Sequence, residues 1–289
     1  MNFLLAGIAI LGVSASGPLM AYAAAPATAI GMWRNAIGAL VVAPFSYRTA
    51  RRELPTLDRR GWSTLVFAGT MLAAHFASWI GALQLTSVAA ATAMVSMQLA
   101  FAVLIDRLSG NRVPRQVVLG VVVALAGVLV ITGVDFAVSA RALTGDLLAL
   151  LGGLTAALYM SAGSRLRVTL STGTYTSVCY GVCAVILLVA TVVSGGELTE
   201  YEATTWAAIL GVTVCAQLLG HSVLNHLLGV MSPTLVALLL LLEVPGAAIL
   251  AGIFLDQTPE SGVYLGLAVI LAGLAFVVLR RPPRVAPVE

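Results

Sequence analysis

Residues 120–127 read GVVVALAG and residues 266–273 read GLAVILAG, identical at five of eight positions across an offset of 146. The same ungapped offset lays His75 over His221, Thr28 over Thr174, Thr86-Ser87 over Ser232-Pro233, and Asn111 over Gln257. One register therefore runs through both halves of the 289-residue chain, and the sequence reads as one unit written twice. The two copies divide the chain into 1–140 and 141–289. Whatever architecture one copy adopts, the other must share it.

Composition defines that architecture. Hydrophobic residues make up 60% and charged residues 9%, with a mean hydropathy of +1.03; soluble domains carry about 25% charged residues. Apolar stretches of about 20 residues, enough to cross a hydrocarbon core of about 30 Å as helix, recur from end to end. The runs are continuous rather than alternating, which favours helices over a barrel. Ten spans are expected, at 3–22, 28–47, 61–83, 86–106, 114–134, 146–164, 174–194, 204–226, 232–255 and 261–279. The fold class is an all-α membrane protein with five spans per copy. The first span resembles a signal peptide before AYAAAPA, but it is long and its start lacks Lys and Arg, so it is expected to be retained.

Every basic residue is Arg. Under the ten-span reading thirteen of the fifteen share one face: Arg48, Arg51, Arg52, Arg59, Arg60, Arg107, Arg112, Arg115, Arg165, Arg167, Arg280, Arg281 and Arg284. Arg141 lies on the opposite face and Arg34 within a span. The positive-inside rule then places both termini in the cytoplasm, as in a bacterial inner (cell) membrane protein. The sequence pI of about 9.0 thus reflects topology, and nothing supports nucleic-acid binding. No zinc cage, P-loop or nucleophile elbow is present, so no metal or cofactor is expected. Cys179, Cys183 and Cys215 fall within spans and read as small buried residues. The sequence assigns no oligomeric state.

Five is an odd number, so the second copy enters the membrane from the side opposite the first. Inverted-topology repeats place a binding site near mid-depth between the halves, and rocking one half against the other gives alternating access. Transport has a physical need for this symmetry that a receptor or a membrane enzyme lacks.

Ionisable groups inside spans are costly and face the bundle interior or a wet cavity. Away from the span ends they are Arg34, His75, His221, His226 and Glu243, while Asp106, at a span end near Arg107, reads as interfacial. In the eighth span Gln217, His221 and Asn225 recur every four residues and predict one polar stripe. Met71, His75 and Trp79 mark the matching face of the third span. Both faces suit a cavity wall; interhelical hydrogen bonding is the alternative. Trp33, Trp62 and Trp206 lie near span ends, as in an interfacial belt.

Glu243 sits near mid-depth in LLLLLEVPGAAILAG (238–252), two residues before Pro245. The proline deprives the Leu241 carbonyl of its usual donor and predicts a bend, a candidate gate hinge. Three roles are open to Glu243: pairing with Arg34, titrating to couple proton movement to transport, or bonding a polar neighbour. Its counterpart in the first copy is Met97, followed by Gln98 and Leu99, so neither carboxylate nor proline is duplicated.

Three segments carry a family resemblance: MWRNAIGAL (32–40), HFASWIGALQLTSVAAATA (75–93) and GHSVLNHLLGVMSPTLVALLLLLEVPGAAILAGIFLDQTPE (220–260). They resemble the paired EamA repeats of the drug/metabolite transporter superfamily, and the resemblance covers nearly the whole chain. It implies a ten-helix exporter of amino acids, metabolites or drugs with a central cavity. The family usually ends its fourth and ninth helices with Gly-Glu or Arg-Glu, whereas this chain reads SGNRV (109–113) and LDQTP (255–259), and it has Leu99 in place of the usual proline. The expected substrate is a small amphipathic molecule, because a polyanion would need several cationic partners. A flippase for a lipid-linked substrate and a non-transporting membrane partner are the alternatives.

Overall fold

The computed structural model describes residues 2–136, 139–257 and 261–279, all helical or in short connections, with no strand among them. Arg280, Arg281, Arg284 and residues 258–260 lie outside the described residues. The first copy comprises α1 (Asn2–Ser14), α2 (Ser16–Tyr22), α3 (Ala27–Glu53), α4 (Arg59–Leu83), α5 (Val88–Val95), α6 (Gln98–Leu108) and α7 (Arg115–Phe136). The second comprises α8 (Ala140–Leu166), α9 (Thr172–Val193), α10 (Ala203–Val212), a π-helical segment (Thr213–His221) and α11 (Ser222–Leu227). It continues through α12 (Pro233–Leu240), α13 (Glu243–Phe254) and α14 (Ser261–Leu279).

Helix starts follow capping chemistry. Asp58, Ser87, Ser139 and Ser171 each accept from the backbone N–H three residues on, satisfying a donor that the first turn leaves unpaired. Six stretches are long and apolar enough to cross a bilayer: Leu4–Tyr22, Arg59–Leu83, Val88–Leu108, Ala140–Leu166, Thr172–Val193 and Ala203–Leu227. The other four expected spans are helical too, but differ in physical character. The helix α3 is diluted by Arg34, Asn35, Ser46 and its terminal arginines; the 232–255 span is broken in two; and α7 and α14 contribute shorter apolar stretches, Arg115–Val130 and Tyr264–Gly273.

The principal helix contacts join one copy to the other: α3 packs on α9, α4 on α8, α7 on α14, α1 on the π segment, α5 on α13 and α6 on α12. Without a hydrophobic drive between helices in lipid, such packing relies on small residues that let backbones approach. The glycines of the repeated octapeptide do this reciprocally. A Cβ on Gly127 would lie 2.6 Å from the Gly266 carbonyl oxygen, and one on Gly273 would lie 2.7 Å from that of Gly120. The matched positions of the two copies therefore touch each other across α7 and α14.

The expected fourth and ninth spans are both interrupted. The chain leaves the α-helix at Leu241–Leu242, where the Leu239 carbonyl accepts from Leu242 N at 3.2 Å and the Leu241 carbonyl accepts from Val244 N at 3.3 Å. Pro245 stands in the first turn of α13, where a missing N–H costs nothing, so the break falls about one turn ahead of the residue that causes it. A second break, at Ser96–Met97, has no proline. There Ser96 Oγ donates to Ala93 O at 2.6 Å, and Met97 N donates to Met94 O at 3.1 Å. The Met97-Gln98-Leu99 stretch, which the residue alignment reads as lacking the counterpart of the Pro245 bend, is thus broken too, without a proline and with a serine bonded back at the break.

Candidate functional site

The two breaks start α6 at Gln98 and α13 at Glu243, and both side chains line one cavity. His75 and Trp79 enter from α4, Tyr159 and Met160 from α8, His221 from the π segment and Asn225 from α11. Val13, Val95, Leu224, Val236 and Leu240 complete an apolar remainder. The cavity offers about 40 Å³ to water-sized groups; a single water needs about 10–15 Å³ on this measure. This conformation therefore has room for a few waters rather than a bulky solute.

Glycines set the wall. Gly152 and Gly153 let α8 lie against α4 on one side and the α5–α6 break on the other. A Cβ on Gly153 would lie 2.7 Å from Val95 O and 3.1 Å from Gln98 N. The close approach brings the Gly152 carbonyl to 3.0 Å from His75 Nδ1. A carbonyl only accepts, so Nδ1 carries a proton, which leaves Nε2 as the variable nitrogen. The His75 ring stacks on Trp79 at 5.6 Å and lies 6.2 Å from His221.

Two buried polar atoms in the lining have no hydrogen-bond partner among the described residues: Trp79 Nε1, on a residue 2% exposed, and Glu243 Oε1, on one 7% exposed. One is a donor and the other an acceptor. Buried groups of this kind are normally satisfied, so the cavity presents complementary unmet capacity to whatever enters it. Tyr159 donates its hydroxyl to Asn225 Oδ1 at 2.6 Å, and Asn225 Nδ2 donates to Thr176 Oγ1 at 3.1 Å. Those two side chains are held in place by each other.

Of the seven candidate side chains, His75, Trp79, His221, Asn225 and Glu243 line the cavity; Arg34 and Gln217 do not. Arg34 is wholly buried behind Phe76, its guanidinium 4.2 Å from the ring centre, a cation–π distance. Its Nε donates to Gln217 Oε1 at 2.7 Å, and Gln217 Nε2 donates to Asn35 Oδ1 at 2.8 Å. Arg34 Nη1 reaches Met20 Sδ at 3.1 Å and Ser16 Oγ at 3.5 Å, and Nη2 has no partner. Among the described residues no hydrogen bond or salt bridge joins Arg34 to Glu243, although the two groups interact electrostatically at longer range.

The polar stripe of Gln217, His221 and Asn225 is also divided. The π-helical segment closes on a bond from Ser222 N to Gln217 O, one residue wider than an α-turn. Tyr180 Oη and Ser222 Oγ donate to the same carbonyl at 3.1 and 3.0 Å. The wider turn rotates Gln217 toward α3 while His221 and Asn225 face the cavity. Gln98 and Tyr159 are cavity residues that periodicity did not single out; Gln98 is a polar residue in an apolar span, which was the available signal. His226 sits at an exposed helix end, 3.4 Å from Thr172 Oγ1.

A second polar cluster closes the arginine-bearing end of α8. Arg167 donates from Nε to Asn225 O at 3.0 Å, from Nη2 to Thr172 Oγ1 at 2.6 Å, and from Nη1 to Leu170 O. Glu53, at the end of α3, accepts from Ser171 N at 3.0 Å and Ser171 Oγ at 2.9 Å. Partial burial pushes the Glu53 carboxyl up, but bonds from Thr174 and Ser171 and the nearby Arg167 charge outweigh it and hold the group below its ordinary range.

Apolar helices of bilayer-spanning length, paired across two copies around a cavity at two helix breaks, define an integral membrane protein of the transporter class. The EamA-like transporter family matches residues 2–133 and again 143–279. The chain belongs to that family and is a membrane transporter. It is similar in fold to a crystal structure described only as that of a protein, at 19% identity, covering 96% of each chain with a TM-score of 0.72. No curated protein matches the chain.

Proposed function

We propose that the chain is a secondary transporter of the cell (inner) membrane that exports a small amphipathic metabolite, amino acid or drug by alternating access. Its two five-helix units, 1–140 and 141–289, run in opposite senses, both termini are cytoplasmic, and the cavity is the solute site. The observation that carries this reading is the cavity itself, set beside the two helix breaks and lined from both copies, with Trp79 Nε1 and Glu243 Oε1 lacking partners among the described residues. Reciprocal contact of the matched glycines across α7 and α14 supports the symmetry that alternating access uses. Stacked His75 and Trp79 suit a flat apolar group, and Glu243 suits a cationic group or a proton. Pro245 and Ser96 mark where the two spans flex.

Comparing metabolites released by cells with and without the protein identifies the solute, and flux of that solute into proteoliposomes tests the reading. Narrowing the cavity at its lining residue Ala156 with Ala156→Val is expected to lower flux; full flux at wild-type stability would overturn the cavity assignment. Glu243→Gln is expected to remove any dependence on a pH gradient, and unchanged proton-coupled flux in that variant would remove the proton from the mechanism. A second reading, a flippase for a lipid-linked substrate, is favoured by one feature: an apolar groove of about 550 Å³ between Pro18, Leu19 and Tyr22 of α2 and Leu250 and Phe254 of α13. Flux of a water-soluble solute without lipid movement would dismiss it.

A further inference from the structure

Away from the solute cavity, α4, α6 and α8 enclose a groove of about 430 Å³. Its wall is sorted along the helix axes. Ser63 and Thr64 of the second turn of α4 and Arg165 of the last turn of α8 stand at the end nearest the helix termini. Phe67 and Leu158 lie one to two turns further in, and Ile105 of α6 forms the side. One end is polar and cationic and the other apolar, over the depth at which a bilayer changes from headgroup to acyl chain.

The cationic end is uncompensated. Arg165 is exposed and its guanidinium makes no hydrogen bond or ion pair with a described residue, and the same holds for the guanidinium groups of Arg59 and Arg60. Those two precede Ser63 and Thr64 by four residues and so share their helix face. Ser63 Oγ and Thr64 Oγ1 already donate to Arg60 O, at 2.9 and 2.8 Å. Each hydroxyl therefore offers a ligand its lone pairs. The complementary molecule carries an anionic group for the guanidinium, hydroxyl donors for the two oxygens, and an apolar chain to cover Phe67, which is 43% exposed.

We propose that this groove binds one anionic phospholipid with a hydroxyl-bearing headgroup, phosphatidylglycerol being the simplest. Its phosphate pairs with Arg165, its glycerol hydroxyls donate to Ser63 and Thr64, and one acyl chain lies over Phe67, Ile105 and Leu158. A soluble phosphate ester would leave those apolar walls uncovered, and a zwitterionic lipid would set its own cation against three free guanidinium groups. Basic pockets between membrane helices recognise anionic headgroups on these grounds.

The test is native mass spectrometry of the delipidated full chain with dioleoyl phosphatidylglycerol, dioleoyl phosphatidylcholine and glycerol 3-phosphate. Expected are retention of phosphatidylglycerol about fivefold above phosphatidylcholine and a fall to the phosphatidylcholine level in Arg165→Gln, the effect of about one interfacial charge. Leu158→Trp, which fills the groove, is expected to remove the retained lipid at an unchanged unfolding midpoint. Arg48→Gln, an exposed arginine outside the groove, is expected to bind as wild type. Equal retention of the two lipids, an Arg48→Gln loss matching that of Arg165→Gln, or competition by glycerol 3-phosphate would each overturn the site. If Arg165→Gln does not fold, wild-type lipid preference and its loss in Leu158→Trp decide the question.

Discussion

Gly7 and Gly153 occupy the same position in the two copies, 146 residues apart, yet meet opposite surroundings. A Cβ on Gly153 would strike Val95 O at 2.7 Å and Gln98 N at 3.1 Å, while one on Gly7 would meet nothing within 4 Å. Val95 O and Gln98 N are backbone atoms, so rotamer changes cannot relieve the clash. Overpacking of this kind costs about 1–3 kcal/mol, against at most about 1 kcal/mol returned by the better helix propensity of Ala. Gly153→Ala is therefore expected to lower the thermal unfolding midpoint in detergent by a few degrees, and Gly7→Ala to leave it level or raise it slightly. Transport should rank the two differently. Under the proposed alternating access, the mirrored conformation would put Gly7 in the place Gly153 holds here, and Gly7→Ala would penalise that state by the same clash. About 1–3 kcal/mol corresponds to a roughly 5- to 150-fold loss of its population, seen as slow flux in a stable protein. A Gly7→Ala variant with wild-type stability and wild-type flux would refute the exchange of roles between the copies. A Gly153→Ala variant more stable than wild type would refute the close packing itself.

Gln217→Leu leaves Arg34 Nε and Asn35 Oδ1 without their partner in a wholly buried site. A cost of about 1.5–3 kcal/mol is expected, since the lost bond involves a charged donor, and chemical denaturation in detergent would read it. The Glu53 carboxyl is held below 4.5 in the folded chain, so its contribution to stability is present above that ordinary value and is lost as pH falls through the folded value. Amide protection at Ser171–Thr174, corrected for the intrinsic pH dependence of exchange, is expected to fall on acidification below pH 4.5 in wild type and to be already low and less pH-sensitive in Glu53→Gln. Equal protection in both proteins across that range would remove Glu53 from the end of α9.

Much of this molecule is legible in its sequence. Continuous apolar runs are a one-dimensional signal, because lipid forces each spanning segment to satisfy its own backbone, and the 146-residue register is a comparison of letters. The helical class, the twofold repetition and the short roster of buried polar residues follow from these alone. Which polar residues meet was a different matter. The Ser96–Met97 break carries no proline to announce it, only a serine hydroxyl bonded back to Ala93 O. The π-helical turn that parts Gln217 from His221 conserves every residue that an α-helical reading assumed. Arg34 and Glu243 were the natural ionic couple, yet Gln217, Met20 and Phe76 surround the guanidinium first.

Burial in lipid is thus decided residue by residue along the chain, and so the sequence determined that this protein is a helical, twice-repeated membrane transporter. Partnership inside the bundle depends on the turn geometry of each helix and on how closely glycine lets neighbours approach. Those are properties of pairs of segments far apart in the chain, so only the tertiary structure decided that five of the candidates face one cavity while Arg34 and Gln217 stand behind its wall.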